Sequence, residues 1–219
     1  MAALLVAHLL FAAYVSIPVG GEVTTARVAW GEARLLIRDR RVWLLLSTLF
    51  LNRVASAPFN GFYTLFVQDL GLSGRVVAFT WGIAITTEVA VMLFVDRALN
   101  RFGTSAVLAA GVALESVRWL AYAHVRSEGE LLLLAPLHGL AFALLYVAGV
   151  RYVAEVVREG LRSLGQGVSA TAAGLGQAVG IIAAGYLYQG AGASVMFAAG
   201  SAVGGLALVS ALLLGRAAR

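Results

Sequence analysis

Cysteine and lysine are both absent from this chain of 219 residues, and it contains only 3 prolines. Without cysteine there is no disulfide, no thiolate metal site and no thiol nucleophile. Without lysine no Schiff base can form with a carbonyl substrate or a retinal-type pigment. Charged residues make up only 12% of the chain, whereas soluble domains carry roughly 25%.

What the sequence has in abundance is apolar side chains, which account for 61% of its residues. A soluble globule of this size could not bury so much apolar surface, whereas a lipid bilayer accommodates it. This composition argues against soluble enzymes and nucleic-acid-binding proteins. The net charge of +5 does not indicate nucleic acid either, because there is no basic tail or basic amphipathic stretch.

Seven stretches are long and apolar enough for membrane-spanning helices, which need about 20 mostly apolar residues. They are Ala2–Pro18, Val42–Phe66, Val76–Val95, Thr104–Ala123, Leu131–Val150, Gly165–Leu187 and Ala193–Leu214. The first could instead be a secretory signal, but it has no basic n-region. We predict an all-α integral membrane protein with a transmembrane helix at 1–18, a cytoplasmic linker at 19–41 and a six-helix bundle at 42–219. Within the linker, residues 30–38 are expected to form a short helix on the membrane surface.

The placement of the arginines predicts the orientation, because cytoplasmic loops carry an excess of basic residues. If the linker at 19–41 is cytoplasmic, twelve arginines lie on the cytoplasmic side and only Arg75 and Arg126 outside. We therefore expect a multi-pass protein of the cell membrane, such as a bacterial inner membrane, with the N-terminus outside and the C-terminus in the cytoplasm. The last six spans divide into a 3+3 set, a plan found in inverted-repeat transporters.

Four charged residues lie well inside the predicted spans: Arg53, Glu88, Glu115 and Arg118. Each costs about 2.5–3.5 kcal/mol to insert, so such residues either pair to lock helices together or line a solute or proton path. Glu115 and Arg118 can pair because they are three residues apart on a helix. His138 and Arg118 are both expected roughly 10 Å below the outer face and could also meet.

Polar and aromatic side chains recur at helical spacing on two spans. The second span carries Arg53, Ser56, Asn60 and Tyr63 on one face, and the fifth carries His138, Phe142 and Tyr146. These faces could line a cavity for a small polar or aromatic solute, or they could form hydrogen bonds between helices.

Two G-x-x-x-G pairs occur in the last two spans, at Gly176 with Gly180 and at Gly200 with Gly204. Glycines at this spacing allow helices to approach closely. We interpret them as a sliding contact with another helical bundle, one that need not belong to this chain.

Five short motifs occur in an order and spacing that resemble a known family. They are Leu35-Leu-Ile-Arg-Asp-Arg-Arg41, Asp96-Arg-Ala-Leu-Asn-Arg-Phe-Gly103, Ser116-Val-Arg118, Leu137-His138-Gly139 and Gly185-Tyr-Leu-Tyr188. Together they resemble the C-terminal half of major facilitator superfamily transporters, in the proton-symporter branch around lactose permease and phenylpropionate permease. The resemblance implies that the six later spans form a 3+3 inverted-repeat bundle of major facilitator type.

The resemblance also implies roles for particular residues. Arg118 and His138 fall where the family has an arginine and a histidine of its proton-coupling and substrate network. The family's carboxylate one turn after that histidine is replaced by Ala141, so the proton would be carried by Glu88 or Glu115, with His138 as a third candidate. The short cytoplasmic loop would act in gating through Asp96, Arg97, Arg101 and Gly103.

The predicted function is therefore half of a secondary transporter, not an enzyme, that moves an aromatic acid, sugar or nucleoside by alternating access. Its partners would be protons, the lipid bilayer, and an N-terminal six-helix half or a second copy. No cofactor, metal or nucleic acid is expected. The alternative is a non-transporting sensor or assembly partner that retains the fold, and a seven-helix receptor fits the long gap after the first span poorly.

Overall fold

The computed structural model of the chain describes residues 38–217, and within this range every regular element is helical. In chain order the helices are α1 Arg40–Asp69, α2 Gly74–Met92, α3 Val95–Phe102, α4 Thr104–Tyr122 and α5 Glu128–Val156. A 3-10 turn, Glu159–Leu161, leads into the helical stretch Arg162–Ala217. Gly192 divides this stretch into α6 (162–191) and α7 (193–217). The predicted span at 2–18 and most of the predicted surface helix at 30–38 lie outside the described residues.

Four helical stretches in the described range are long and apolar enough to cross a membrane: Arg40–Asp69, Gly74–Met92, Glu128–Val156 and Glu159–Ala217. The last of them contains both α6 and α7. The predicted span at 104–123 coincides with α4, which carries two buried charges and is not among the four. The predicted span at 76–95 is too long by three residues, because α2 ends at Met92 and Val95 already begins α3.

The helix boundaries follow from short polar signals in the sequence. Asp39 and Ser73 cap α1 and α2, each accepting a hydrogen bond from the backbone N–H two residues later. Ser127 and Glu130 form a reciprocal capping box at the start of α5, which satisfies two otherwise free N–H groups. Gly192 has φ 82°, a conformation that a residue with a side chain rarely adopts. The chain therefore turns sharply between α6 and α7 without an intervening loop.

The glycine pairs of the last two helices pack inside this chain, so the expectation that they contact another bundle is wrong for them. A Cβ on Gly176 would collide with the carbonyl oxygen of Phe50 on α1, and Gly180 packs against the same helix at Val54. Gly200 lies against Ala55, and Gly204 lies against Ser116 on α4. These glycines allow the backbones of α6 and α7 to approach α1, and that of α7 to approach α4.

Within residues 38–217, two clusters of buried side chains form the core. One contains Leu45, Leu99, Val107, Leu108, Tyr152, Leu161 and Leu214. It lies where α1 and α6 begin and where α5 and α7 end, which is also where most arginines occur, and we call it the arginine-rich end. The other cluster is aromatic and lies toward the opposite end; it contains Phe59, Tyr63, Phe66, Trp119, Tyr122 and Phe197.

Candidate functional site

A buried ion pair lies at the centre of the bundle on α4. The Arg118 Nη2 atom is 3.6 Å from Glu115 Oε1, and the side chains are 0% and 10% exposed. The second carboxylate oxygen of Glu115 has no hydrogen-bond partner in the range 38–217. Of the two partners that the sequence allowed for Arg118, the structure pairs it with Glu115.

Aromatic rings, rather than hydrogen-bond acceptors, surround the guanidinium of Arg118. Its central carbon lies 4.0 Å from the ring centre of Trp119, 4.9 Å from that of Phe59 and 5.8 Å from that of Tyr122. None of its three nitrogens has a hydrogen-bond partner among the described residues. A desolvated cation over aromatic faces gains about 2 kcal/mol or more per favourable contact. The rings thus offset part of the cost of burial and leave the N–H groups unused.

His138 joins the same aromatic cluster from α5. Its ring centre is 5.0 Å from that of Phe59 and 5.3 Å from that of Trp81 on α2. The Nδ1 atom is buried without a hydrogen-bond partner in the described part of the chain. Phe59 is therefore the residue that Arg118 and His138 share.

A cavity of about 430 Å³ lies between α1, α4, α5 and α6. Four predicted site residues line it: Arg53, Glu115, Phe142 and Tyr146. Its lining residues come from the first half of α6 and the second half of α5, so it lies in the half of the bundle nearer the arginine-rich end. The cavity size is within the range of small-molecule sites, which are about 300–1,000 Å³.

The cavity combines the guanidinium of Arg53 with an aromatic surface. Arg53 forms no ion pair with any residue of the range 38–217. Phe142 and Tyr146 stack with ring centres 5.9 Å apart and planes 6° from parallel. Together these groups can bind a planar ring and an attached anion.

Sequence reasoning missed four polar residues of the cavity wall. They are Asn52, Gln166, Ser169 and Gln177. Three of them recur at intervals close to one or more helical turns on α6, so the periodicity that identified the other stripes could also have found them. Gln166 also donates a 3.0 Å hydrogen bond to the Val150 carbonyl, which connects α6 to α5.

Besides Arg118, His138 and the residues of the predicted gating loop, three further predicted site residues do not line this cavity. Asn60 donates to Gln177 Oε1 over 2.9 Å, so it contacts the wall only through that amide. The Tyr63 hydroxyl donates to Thr80 Oγ1 over 2.7 Å and ties α1 to α2. Glu88 is half-buried on α2, beside the point where Gly139 of α5 touches the α2 backbone. The polar residues that were predicted to share one face of the second span therefore contact different neighbouring helices.

The predicted cytoplasmic gating loop is a helix, α3, rather than an irregular loop. Asp96, Arg97 and Arg101 are exposed on it, while Val95 and Leu99 are buried in the core. Gly103 follows with φ 84° and allows the turn into α4. The amphipathic spacing of the two buried residues, four apart, explains why this short segment is helical.

Beside α3, the start of α4 is joined to the end of α5. Thr104 Oγ1 donates to Glu155 Oε1 over 2.6 Å. The same oxygen accepts from Arg151 Nε over 3.2 Å. This contact closes the arginine-rich end between α4 and α5, the two helices that hold Arg118 and His138.

Comparison with known proteins identifies the family of this chain. The family model described as the MFS_1 like family matches residues 3–199. The probable 3-phenylpropionic acid transporter of Escherichia coli (strain K12) is 25% identical over 180 residues, which are 82% of this chain and 47% of that protein. The chain thus spans about half the length of this curated relative.

A solved structure shows a similar fold. The crystal structure of a mutant of the nucleoside transporter NupG matches with a TM-score of 0.70 and 18% sequence identity. The match covers 87% of this chain and 54% of that one. At this identity the likeness concerns the fold.

The helical fold, the apolar spans and these matches define a multi-pass membrane protein with the fold of known transporters. The chain belongs to the MFS_1 like family. The resemblance to the C-terminal half of major facilitator transporters is thereby confirmed.

Proposed function

We propose that this chain forms one half of a proton-coupled symporter that carries a small aromatic carboxylate. The observation that carries the proposal is the cavity wall on which Arg53, unpaired within residues 38–217, lies with the Phe142–Tyr146 stack, with Glu115 beside them. A sugar offers neither an anion for Arg53 nor a flat ring for the stack. The similarity to a probable 3-phenylpropionic acid transporter supports the same class of solute.

In this proposal Arg53 binds the solute carboxylate through its guanidinium fork, which matches carboxylate geometry. The Phe142–Tyr146 stack holds the aromatic ring, and Gln177 and Asn52 supply further hydrogen bonds. A bound carboxylate is held more strongly here than in water, because the cavity walls exclude much of the solvent.

The proton is assigned to Glu115, because of the two candidate carboxylates only this one lines the cavity. With Glu115 ionised, Arg53, Arg118 and Glu115 sum to a charge of +1, and protonation raises that sum to +2. Proton binding therefore strengthens the attraction of the site for an anion, and by linkage anion binding favours protonation. Because the proton and the solute anion favour each other's binding, the two would cross the membrane together and in the same direction.

A second bundle must complete the cavity, since one bundle offers only one wall. The chain covers 47% of its curated relative and 54% of the similar solved structure. We propose an N-terminal six-helix half as the partner, or a second copy of this chain. The arginine-rich end is assigned to the cytoplasm of a bacterial inner membrane, which places the C-terminus inside and the N-terminus outside.

The test is uptake into vesicles made from cells that express the chain alone or together with an N-terminal six-helix half, with radiolabelled 3-phenylpropionate, a neutral nucleoside and a disaccharide compared side by side. We expect accumulation of the carboxylate, and collapse of that accumulation when an uncoupler abolishes the pH gradient. Equal uptake of all three solutes would contradict the aromatic carboxylate, and accumulation that survives the uncoupler would contradict proton coupling.

A second candidate function is solute sensing or assembly without transport. It is favoured by Ala141, which is 1% exposed and places no titratable group one turn after His138. Carboxylate binding to the purified protein without any carboxylate-driven proton flux in proteoliposomes would support this function over symport.

A further inference from the structure

Exposed apolar side chains flank helix α3 at the arginine-rich end, and the transport proposal does not use them. Phe94 and Phe102 are 55% and 63% exposed, and Leu93 is 74% exposed. Phe94 precedes the first residue of α3 and Phe102 is its last residue, so the two exposed rings lie at the two ends of the helix. Val95 and Leu99 anchor the helix in the core.

Two arginines accompany these rings. The guanidinium carbon of Arg97 lies 4.9 Å from the ring centre of Phe94, and that of Arg101 lies 5.3 Å from the ring centre of Phe102. Neither arginine forms an ion pair with a carboxylate of residues 38–217. Asp96 is on the same helix but does not pair with them. Both guanidinium forks therefore remain available to an external anion.

The length and position of α3 suit a helix that lies on the bilayer surface. An eight-residue helix is about 12 Å long and cannot span the membrane. Turns at Leu93–Phe94 and at Gly103 separate it from α2 and α4. Arg216 is close by, because Gly215 contacts Ser105 at the start of α4. A short helix with exposed aromatic residues at its two ends and arginines beside them suits a segment that lies in the interface.

We propose that α3 is a docking surface for an anionic phospholipid. Phe94 and Phe102 enter the boundary between headgroups and acyl chains, and Arg97 and Arg101 bind the phosphate of one lipid or of two neighbours. Planar guanidinium forks suit this role because they bind phosphate oxygens in pairs. The proposal does not depend on which solute the chain carries, or on whether it transports one.

The probe is phosphatidylglycerol with a fluorescent acyl tail, titrated onto the detergent-solubilised chain. A basic residue near an anionic membrane surface contributes about 1 kcal/mol, so each of Arg97→Gln and Arg101→Gln should weaken binding about fivefold. The matched control is Arg75→Gln, because Arg75 is an exposed arginine at the other end of the bundle, and it should bind like the wild type.

Two further measurements separate a lipid from a free phosphate. Tail-labelled phosphatidylcholine should bind several-fold more weakly, and millimolar inorganic phosphate should not displace the phosphatidylglycerol. The double variant Phe94→Ala, Phe102→Ala should also lose affinity while both arginines remain. Displacement by inorganic phosphate, or unchanged binding in both Arg97→Gln and Arg101→Gln, would overturn the proposal. Both side-chain pairs are exposed, so these variants leave the core intact.

Discussion

The guanidinium carbon of Arg118 lies 4.9 Å from the centre of the Phe59 ring. The same ring is 5.0 Å from that of His138. One phenylalanine on α1 therefore contacts a buried cation on α4 and a titratable ring on α5. A change of position at either group would have to displace Phe59, so α1, α4 and α5 are mechanically connected at this point.

Replacing Phe59 with leucine should destabilise the chain more than the same substitution at Phe66. Both rings are buried in the aromatic cluster on α1, but only Phe59 faces a cation. We expect an extra loss of about 2 kcal/mol for Phe59→Leu, the value of a desolvated cation–π contact. Denaturant unfolding of both variants in detergent measures the difference. Equal losses would show that the ring contributes packing alone.

Replacing Arg53 with glutamine should raise the KM for an aromatic carboxylate while affecting a neutral analogue little. A hydrogen bond to a charged group contributes about 1.5–3 kcal/mol, so the increase should be roughly 10- to 100-fold. Arg53→Lys, which retains the charge but not the fork, should give an intermediate value. The measurement is initial uptake rate against solute concentration. An unchanged KM in Arg53→Gln would remove this residue from the binding site.

Replacing Glu115 with glutamine should separate carboxylate transport from the pH gradient. The variant cannot take up a proton at this site, so solute should equilibrate across the membrane without accumulating. Glu88→Gln is the matched control because Glu88 does not line the cavity, and it should accumulate solute as the wild type does. The reverse pattern would place the proton on Glu88.

Replacing Gly176 with alanine should destabilise the bundle, because the new methyl group would meet the Phe50 carbonyl. Overpacking of this kind costs about 1–3 kcal/mol. Gly174→Ala is the control on the same helix, since nothing lies within 4 Å of a Cβ there. That variant should be neutral or stabilised by up to about 1 kcal/mol. Thermal unfolding in detergent distinguishes them, and a stable Gly176→Ala would contradict the close contact of α1 with α6.

The stability of the chain should fall at acid pH in part through Asp39. A hydrogen bond from the Arg41 side chain holds the pKa of Asp39 below its usual value of 3.8. A lowered folded-state pKa contributes stability above the unfolded value, and this contribution is lost as the pH falls through the folded value.

The Asp39→Asn variant tests this contribution. Asparagine can still cap α1, so the variant should melt slightly below the wild type near neutral pH and converge with it below about pH 4. Glu159→Gln, at a glutamate whose side chain is 90% exposed, is the control that should melt like the wild type throughout. A difference in melting temperature between Asp39→Asn and the wild type that stays constant at every pH would contradict the role of the Asp39 charge.

Composition and hydrophobic periodicity determined that this protein is a helical membrane protein. Apolar runs of spanning length and scarce charges leave a bilayer as the only suitable solvent, and those properties are local to the sequence. The pairing of Glu115 with Arg118 was equally predictable, because residues three apart on a helix are neighbours whatever else the chain does. The break after Met92 was missed, because the apolar run continues through Leu93 and Phe94 into α3.

Tertiary structure alone decided which polar residues meet across helices. Arg53, Asn60 and Tyr63 share a helical stripe in the sequence, but they contact a cavity, an amide on α6 and a hydroxyl on α2 respectively. Gly176 and Gly180 could have faced any neighbour, and the structure places them on α1. The reason is physical: a sequence fixes spacing along each helix, whereas the rotation of a helix about its axis depends on the packing of all its neighbours.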